Sequence, residues 1–109
     1  MHSNPQVISA LEHAAAEFIN RESNRRSLIT VTRVELDDHK NKAIVFVSVY
    51  PDAQAPAALD FLSRVTDDFY DYVREHIKMR SAPRFSFQQD PNLGGFKNET
   101  MPEVPSEKN

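Results

Sequence analysis

The sequence contains no cysteine among its 109 residues, which excludes a thiolate zinc site, a disulfide framework and a thiol nucleophile. Both of its two glycines lie near the C-terminus, at positions 94 and 95, so a glycine-rich phosphate loop is excluded as well. No stretch approaches the roughly 18 apolar residues of a membrane span, and the N-terminal residues lack the basic and apolar regions of a signal peptide. The length allows one small domain, and we expect that domain to lack a membrane span.

The charge of the chain is mildly acidic, with 13 basic and 16 acidic side chains giving a formal net charge of −3. This balance counts against a general nucleic-acid binder, because such domains usually carry net positive charge. A mildly acidic protein can still present a basic face, and the basic residues fall in two clusters. The clusters are Arg21, Arg25, Arg26 and Arg33, and Arg74, Lys78, Arg80 and Arg84. Each cluster alone has the simpler explanation of a solvated surface, but in a compact fold the two could meet and bind phosphates.

Hydrophobic periodicity predicts five elements in the order helix, strand, strand, long helix, strand. Asn4 and Pro5 suit the start of the first helix, and the polar loop 37–42 suits a β-hairpin. The predicted ranges are 5–22, 28–36, 43–50, 57–79 and 84–87. We expect residues 1–90 to form the domain and residues 91–109, which hold both glycines, to form a flexible tail.

The stretch DDFYD at 67–71 matches the DDxxD pattern that isoprenoid synthases use to bind metal and diphosphate. At about 100° per residue, Asp67, Asp68 and Asp71 fall opposite the apolar stripe of the long helix, on its outer face. A metal site needs several oxygens converging in a protected place, so a solvated helix face explains the aspartates better. The four histidines share no ligand spacing, and no catalytic triad is recognisable. We therefore predict neither a metal site nor an enzyme.

Three stretches together resemble the ribosome-binding factor A family, whose domain is of the type II KH kind. The first is SLITVTRVELDDHKNKAIVFVSVY (27–50), where the family has a strand reading ITVTDVEVS, a polar turn and A.VYVSV. The second is the spacing from the middle of the long helix to the last strand. The third is KMRSAPRFSFQQD (78–90), which is similar to the family's LRLRRVPELRFVYD. The resemblance covers about residues 7–95.

The resemblance implies an α+β, KH type II-like fold, with a kinked second helix and with the helices on one face of a three-stranded sheet. It implies a cytoplasmic protein that binds the immature small ribosomal subunit and assists maturation of its rRNA. It implies no catalysis, cofactor, metal, small-molecule substrate or membrane, and we expect a monomer. The expected RNA contacts are Arg25, Arg26, Arg74, Lys78, Arg80 and Arg84. For Arg80 and Arg84, a structural role as strand-edge charges is an equal alternative. Tyr70, which lies off the apolar stripe, is the best candidate for stacking on a base.

The family interrupts its long helix at an Ala-x-Gly motif, which falls here on Val65, Thr66 and Asp67. An aspartate therefore replaces the family's glycine, and a carboxylate at this position would weaken a phosphate contact. Side chains such as Thr66 and Asp67 can nevertheless hydrogen-bond the local backbone and compete with helix continuation. We predict a break near 65–67, with Thr66 or Asp67 as the N-cap of a second helix and Asp68 in its first turn.

Two alternatives from other functional classes remain open. The acidic charge and the absent kink glycine would allow a KH-like protein-interaction module that has lost RNA binding. Such a module should respond less to salt than an RNA-binding protein. An enzyme acting on a diphosphate is the third possibility, and it would bind magnesium through Asp67.

Overall fold

The computed structural model describes residues 5–23, 26–37, 39 and 41–91, which form three helices and three strands. Their bounds are α1 (Pro5–Glu22), β1 (Leu28–Leu36), β2 (Lys42–Tyr50), α2 (Ala55–Arg64), α3 (Thr66–His76) and β3 (Arg84–Gln89), with a 3-10 turn at Asp52–Gln54 before α2. Among these residues no helix is long and apolar enough to cross a membrane. The predicted cap Asn4 and all of the predicted tail except Pro91 lie outside the described residues.

The strands form one sheet in the order β1-β2-β3. β1 and β2 pair antiparallel as the predicted hairpin, with Leu28 opposite Tyr50 at the end away from the hairpin loop. β3 pairs parallel with β2, because α2 and α3 return the chain to the hairpin end, where Arg84 lies opposite Lys42. The sheet is therefore mixed, and the predicted α+β element order is confirmed.

The hydrophobic core lies between the helices and one face of the sheet. Side chains alternate along a strand, so Val45 and Val47 of β2 face the helices and are fully buried. Phe69 of α3 is also fully buried, and its ring centroid lies 5.3 Å from that of Phe18 and 4.7 Å from that of Phe85. Burial of one such side chain stabilises the fold by about 1.5–3 kcal/mol. This aromatic cluster holds α3 against both α1 and β3.

The long helix predicted over 57–79 is divided into α2 and α3, because the chain leaves helical geometry at Val65 (φ −103°, ψ 11°). The N–H of Val65 lies 3.2 Å from the carbonyl oxygens of both Phe61 and Leu62, a shared bond that closes α2. The carbonyl of Val65 then accepts the N–H of Phe69 at 2.9 Å and opens α3. The break predicted near 65–67 is therefore confirmed, and residues 57–79 do not form one straight helix.

The capping predicted for this break is wrong. Val65 occupies the N-cap of α3 without a side-chain hydrogen bond. The hydroxyl of Thr66 donates instead to the carbonyl of Leu62, at 2.9 Å, because a threonine within a helix can satisfy its hydroxyl on the preceding turn. The end of α3 also differs from the prediction, since Ile77 is extended (φ −126°, ψ 128°) and the helix stops at His76.

The other face of the sheet is covered by side chains, and none of the described helices packs on it. Phe46 points to this face, and the guanidinium carbon of Arg33 lies 3.9 Å from its ring centroid, which leaves Phe46 only 6% exposed. Arg33 also forms an ion pair with Glu35 on the same strand. The Nε of Arg33 lies 3.4 Å from the carboxylate of Asp90, which follows β3 and is buried. Arg33 is therefore part of the packing of the sheet.

Candidate nucleic-acid interface

An open hollow of about 700 Å³ lies where α3 ends and the chain turns towards β3. We call it the α3-end hollow; it is lined by Arg74, Glu75, His76, Ile77, Lys78, Met79 and Arg80. Three of these seven side chains are basic and exposed, and one is acidic. Basic side chains that share one concave surface raise the local concentration of anions. The hollow therefore has the charge and the openness needed to bind phosphate groups of a large polyanion.

The local sequence explains why basic side chains gather at this point. The last turn of a helix exposes carbonyl groups that carry partial negative charge, and nearby cations offset that charge by about 0.3–1 kcal/mol each. Arg74 lies in the last turn of α3 and supplies such a cation. Since the backbone becomes extended at Ile77, Lys78 and Arg80 follow outside the helix and extend the same basic surface.

Tyr72 connects the α3-end hollow to α1. Its ring stacks on that of His76 with a centroid distance of 4.0 Å, and the guanidinium carbon of Arg21 lies 4.9 Å from the same ring. The hydroxyl of Tyr72 donates to the carboxylate of Glu17 at 3.1 Å. Burial raises the pKa of Tyr72 above its ordinary value of 10.0, and the hydrogen bond to Glu17 raises it further. Arg21 of α1 thus packs on the same ring that stacks on His76 of α3.

The other predicted contact residues lie elsewhere. Arg26 lines a hollow between the end of α1 and the start of β1, whereas Arg84 lines a third hollow with Lys42 and two acidic residues. The second and third hollows lie at opposite ends of β2, a strand of nine residues that spans about 26 Å. Arg25 lies outside the described residues. The structure thus brings Arg74, Lys78 and Arg80 together and places Arg26 and Arg84 apart from each other.

The aspartates of DDFYD are exposed, as the helical spacing indicated. Asp67 and Asp68 occupy the first turn of α3, where their carboxylates complement the positive end of the helix dipole. Phe69, in the middle of the motif, is fully buried in the core. No group of three potential metal ligands occurs within the described part of the chain. The start of α3 is therefore acidic, whereas its end is basic.

One exposed aromatic residue was missed by the sequence reasoning. Tyr70, the predicted stacking residue, is only half-exposed; its ring centroid lies 6.5 Å from that of Phe85, and the Arg74 guanidinium lies over it at 5.8 Å. Tyr50, by contrast, is 72% exposed. Strand alternation indicated this exposure, because Tyr50 directly follows the core residue Val49 in β2 and therefore does not point into the core.

Comparisons with known proteins assign the chain to a family. The family model named Ribosome-binding factor A matches residues 4–98. A protein called ribosome-binding factor A from Desulfitobacterium hafniense is 30% identical over 95 residues, covering 84% of this chain and 76% of that protein. Another of that name, from Fervidobacterium nodosum, is 35% identical over 69 residues, covering 62% of this chain and 55% of that protein. The chain thus spans only about half the length of the second relative.

Solved structures agree with this assignment. The crystal structure of ribosome-binding factor A from Thermus thermophilus has a TM-score of 0.72 and 26% identity, covering 80% of this chain and 94% of that one. A homology model of Thermus thermophilus ribosome-binding factor A has been fitted into the cryo-EM map of that protein's complex with 30S. It has a TM-score of 0.64 and 28% identity, covering 74% of this chain and 88% of that one. These similarities confirm the predicted KH-like fold. The chain therefore belongs to the ribosome-binding factor A family.

Proposed function

We propose that this protein binds the small ribosomal subunit during its assembly and assists maturation of its rRNA. The observation that carries the proposal is the family match over residues 4–98. A structural relative, 28% identical, has been fitted into a map of its complex with 30S. We further propose that the protein acts as a cytoplasmic monomer, through binding alone, without a cofactor or a small-molecule substrate.

The α3-end hollow is the surface we assign to rRNA phosphates. Arg74, Lys78 and Arg80 are exposed and share one concave surface, so a single stretch of RNA backbone can reach all three. Arg and Lys side chains that neutralise phosphates release counterions, which gives strong but salt-sensitive affinity. Arg25, Arg26 and Arg84 are proposed as separate contacts. Such a division suits a folded rRNA, whose phosphates approach a protein from several directions.

The interruption at Val65, Thr66 and Asp67 has a different role in this proposal. A helix N-terminus ordinarily favours phosphate, because its N–H groups and its dipole attract anions. Here Asp67 and Asp68 already place two carboxylates at the start of α3 and repel a further anion. We propose that the interruption shapes the helix pair while the RNA backbone is bound at the opposite, basic end of α3.

Co-sedimentation of the protein with purified precursor and mature small subunits tests the proposed function. We expect binding to the precursor subunit, and we expect Lys78→Ala/Arg80→Ala to weaken it roughly tenfold by removing two phosphate contacts. Arg64→Ala is the control, because Arg64 is equally basic and exposed but pairs with Asp60 on α2. Failure of the unmodified protein to bind either subunit would remove the proposal. A protein-interaction module without RNA binding would instead sediment with little dependence on salt.

A further inference from the structure

Tyr50 and Leu28 form an exposed apolar pair at one end of the sheet. They lie directly opposite each other in the hairpin register and are 72% and 66% exposed. Both line the hollow of about 350 Å³ that separates the end of α1 from the start of β1, which we call the sheet-end hollow. Side chains this exposed contribute little to the core, so the stability of the fold does not explain them.

The lining of the sheet-end hollow combines apolar and polar groups. Ile19 and Ile29 supply an aliphatic floor, and Asn20 with two serines supplies hydrogen-bonding groups. An asparagine side chain both donates and accepts hydrogen bonds, as the edge of a nucleobase also does. Arg26 is the one charged side chain among the described lining residues, and none of those residues is acidic. The hollow therefore offers a stacking surface, a polar edge and a cation close together.

From this juxtaposition we infer that the sheet-end hollow binds a single unpaired nucleotide of RNA. The base stacks on the ring of Tyr50 beside Leu28, its edge meets the polar groups that line the hollow, and Arg26 contacts a flanking phosphate. Recognition of RNA commonly combines these elements, because unpaired bases expose a flat face that aromatic side chains cover. The inference rests on the proposed function, since it assigns to an RNA-binding protein a site that engages a base.

A protein partner fits this surface less well. Two exposed apolar side chains are a small area beside the roughly 800 Å² that each partner buries in a standard protein interface. The polar lining and the guanidinium would then need matching groups from the partner, whereas one nucleotide supplies a π-face, a polar edge and a negative charge together. The nucleotide is therefore the occupant that the composition of the hollow favours.

Binding of fluorescent single-stranded RNA decamers, measured by anisotropy with the full chain, tests the inference. Tyr50→Phe keeps the aromatic face and should bind like the unmodified protein. Tyr50→Leu keeps apolar area without a π-face and should bind about 5- to 160-fold more weakly. The loss of affinity in Tyr50→Leu should persist as salt is raised. Arg26→Gln should cause a smaller loss of affinity, and this loss should shrink at high salt because it is electrostatic. Because Tyr50 is exposed, these variants should fold, and thermal melting checks that they do.

Each outcome decides the inference separately from the proposed function. Equal binding by Tyr50→Leu and the unmodified protein overturns it. Loss of subunit binding in Tyr50→Leu, with unchanged decamer binding in the same variant, assigns the surface to a protein contact and also overturns it. If Lys78→Ala/Arg80→Ala weakens subunit binding while every Tyr50 variant binds normally, the proposed function stands and this inference falls. A duplex RNA should show no dependence on Tyr50, because its bases are already stacked.

Discussion

The hydroxyl of Thr32 donates a hydrogen bond of 2.6 Å to the carboxylate of Asp90, a residue 58 positions later in the chain. The two residues come from opposite edges of the sheet. Thr32 lies in the edge strand β1, and Asp90 follows the other edge strand, β3. The backbone N–H of Asp90 also donates to the carbonyl of Val47 in the central strand, at 2.8 Å. One aspartate thus connects all three strands.

Asp90→Ala is expected to destabilise the protein by about 2–3 kcal/mol, because Thr32 and Arg33 lose a buried, charged partner. Chemical denaturation followed by circular dichroism measures the change in the free energy of unfolding. Asp71→Ala is the matched control, since Asp71 is exposed on α3 and its loss should change stability by less than about 0.5 kcal/mol. Equal midpoints for the two variants would contradict the role assigned to Asp90.

Alkaline pH should destabilise the protein through Tyr72. Its pKa is raised above 10.0 in the folded protein, so between the ordinary and the raised pKa the folded state binds more protons than the unfolded state. The stabilising contribution of Tyr72 is therefore complete below pH 10.0 and is lost as the pH rises through the raised pKa. Unfolding measured from neutral to strongly alkaline pH should show this loss, and Tyr72→Phe should reduce it.

A spectroscopic titration checks the cause of that shift. The ultraviolet absorbance of tyrosinate should reveal one tyrosine that ionises above the others, and Tyr72→Phe should remove that phase. Glu17→Gln should lower the pKa of Tyr72 towards its ordinary value without reaching it, because the larger cause, burial, remains. A high-pKa phase that persists in Tyr72→Phe would assign it to another tyrosine.

Neutralising the start of α3 should affect stability and leave RNA binding unchanged. Asp67→Asn removes one favourable interaction with the helix dipole and should cost about 0.3–1 kcal/mol. Affinity for the precursor subunit should stay within about twofold, since we place the phosphates at the other end of the helix. Magnesium titration by calorimetry should give no binding heat with either protein. A large gain in affinity for Asp67→Asn would place RNA at the helix interruption instead.

The salt dependence of subunit binding should show how many phosphate contacts the protein makes. The logarithm of affinity falls linearly with the logarithm of salt concentration, by about 0.7–0.9 for each neutralised phosphate. Lys78→Ala/Arg80→Ala should therefore reduce this slope by about 1.4–1.8. Arg64→Ala should leave the slope unchanged, because its partner Asp60 lies beside it on α2. An unchanged slope in the double variant would exclude the α3-end hollow as a phosphate site.

Local patterns in the sequence predicted most of the elements. The first helix was predicted at its observed bounds, Pro5–Glu22, because its apolar spacing is regular and a proline opens it. The hairpin and the last strand were placed to within one or two residues. The helix interruption was placed by the resemblance to the family and supported by residue types, but its hydrogen bonds were not predicted, because a threonine hydroxyl can bond either at a cap or to the preceding turn.

Long-range features were beyond sequence reasoning. The connection between Thr32 and Asp90 spans 58 positions, so no local period indicates it. The separation of Arg26 from Arg84 depends on the parallel pairing of β3, which places Arg84 at the hairpin end of the sheet. Which tyrosine is exposed enough to stack on a base, Tyr70 or Tyr50, likewise depends on tertiary packing. The ring of Phe85 in β3 packs against Tyr70.

The parallel pairing of β3 also determines the order in which the sheet can form. The hairpin of β1 and β2 is local and can close as soon as its residues are available, whereas β3 joins only after α2 and α3 have crossed the sheet. Contacts of high sequence separation form slowly, because the intervening chain must first lose entropy. The hydrogen bond between Thr32 and Asp90 can form only once β3 has paired with β2, so it depends on both the local hairpin and the later parallel pairing.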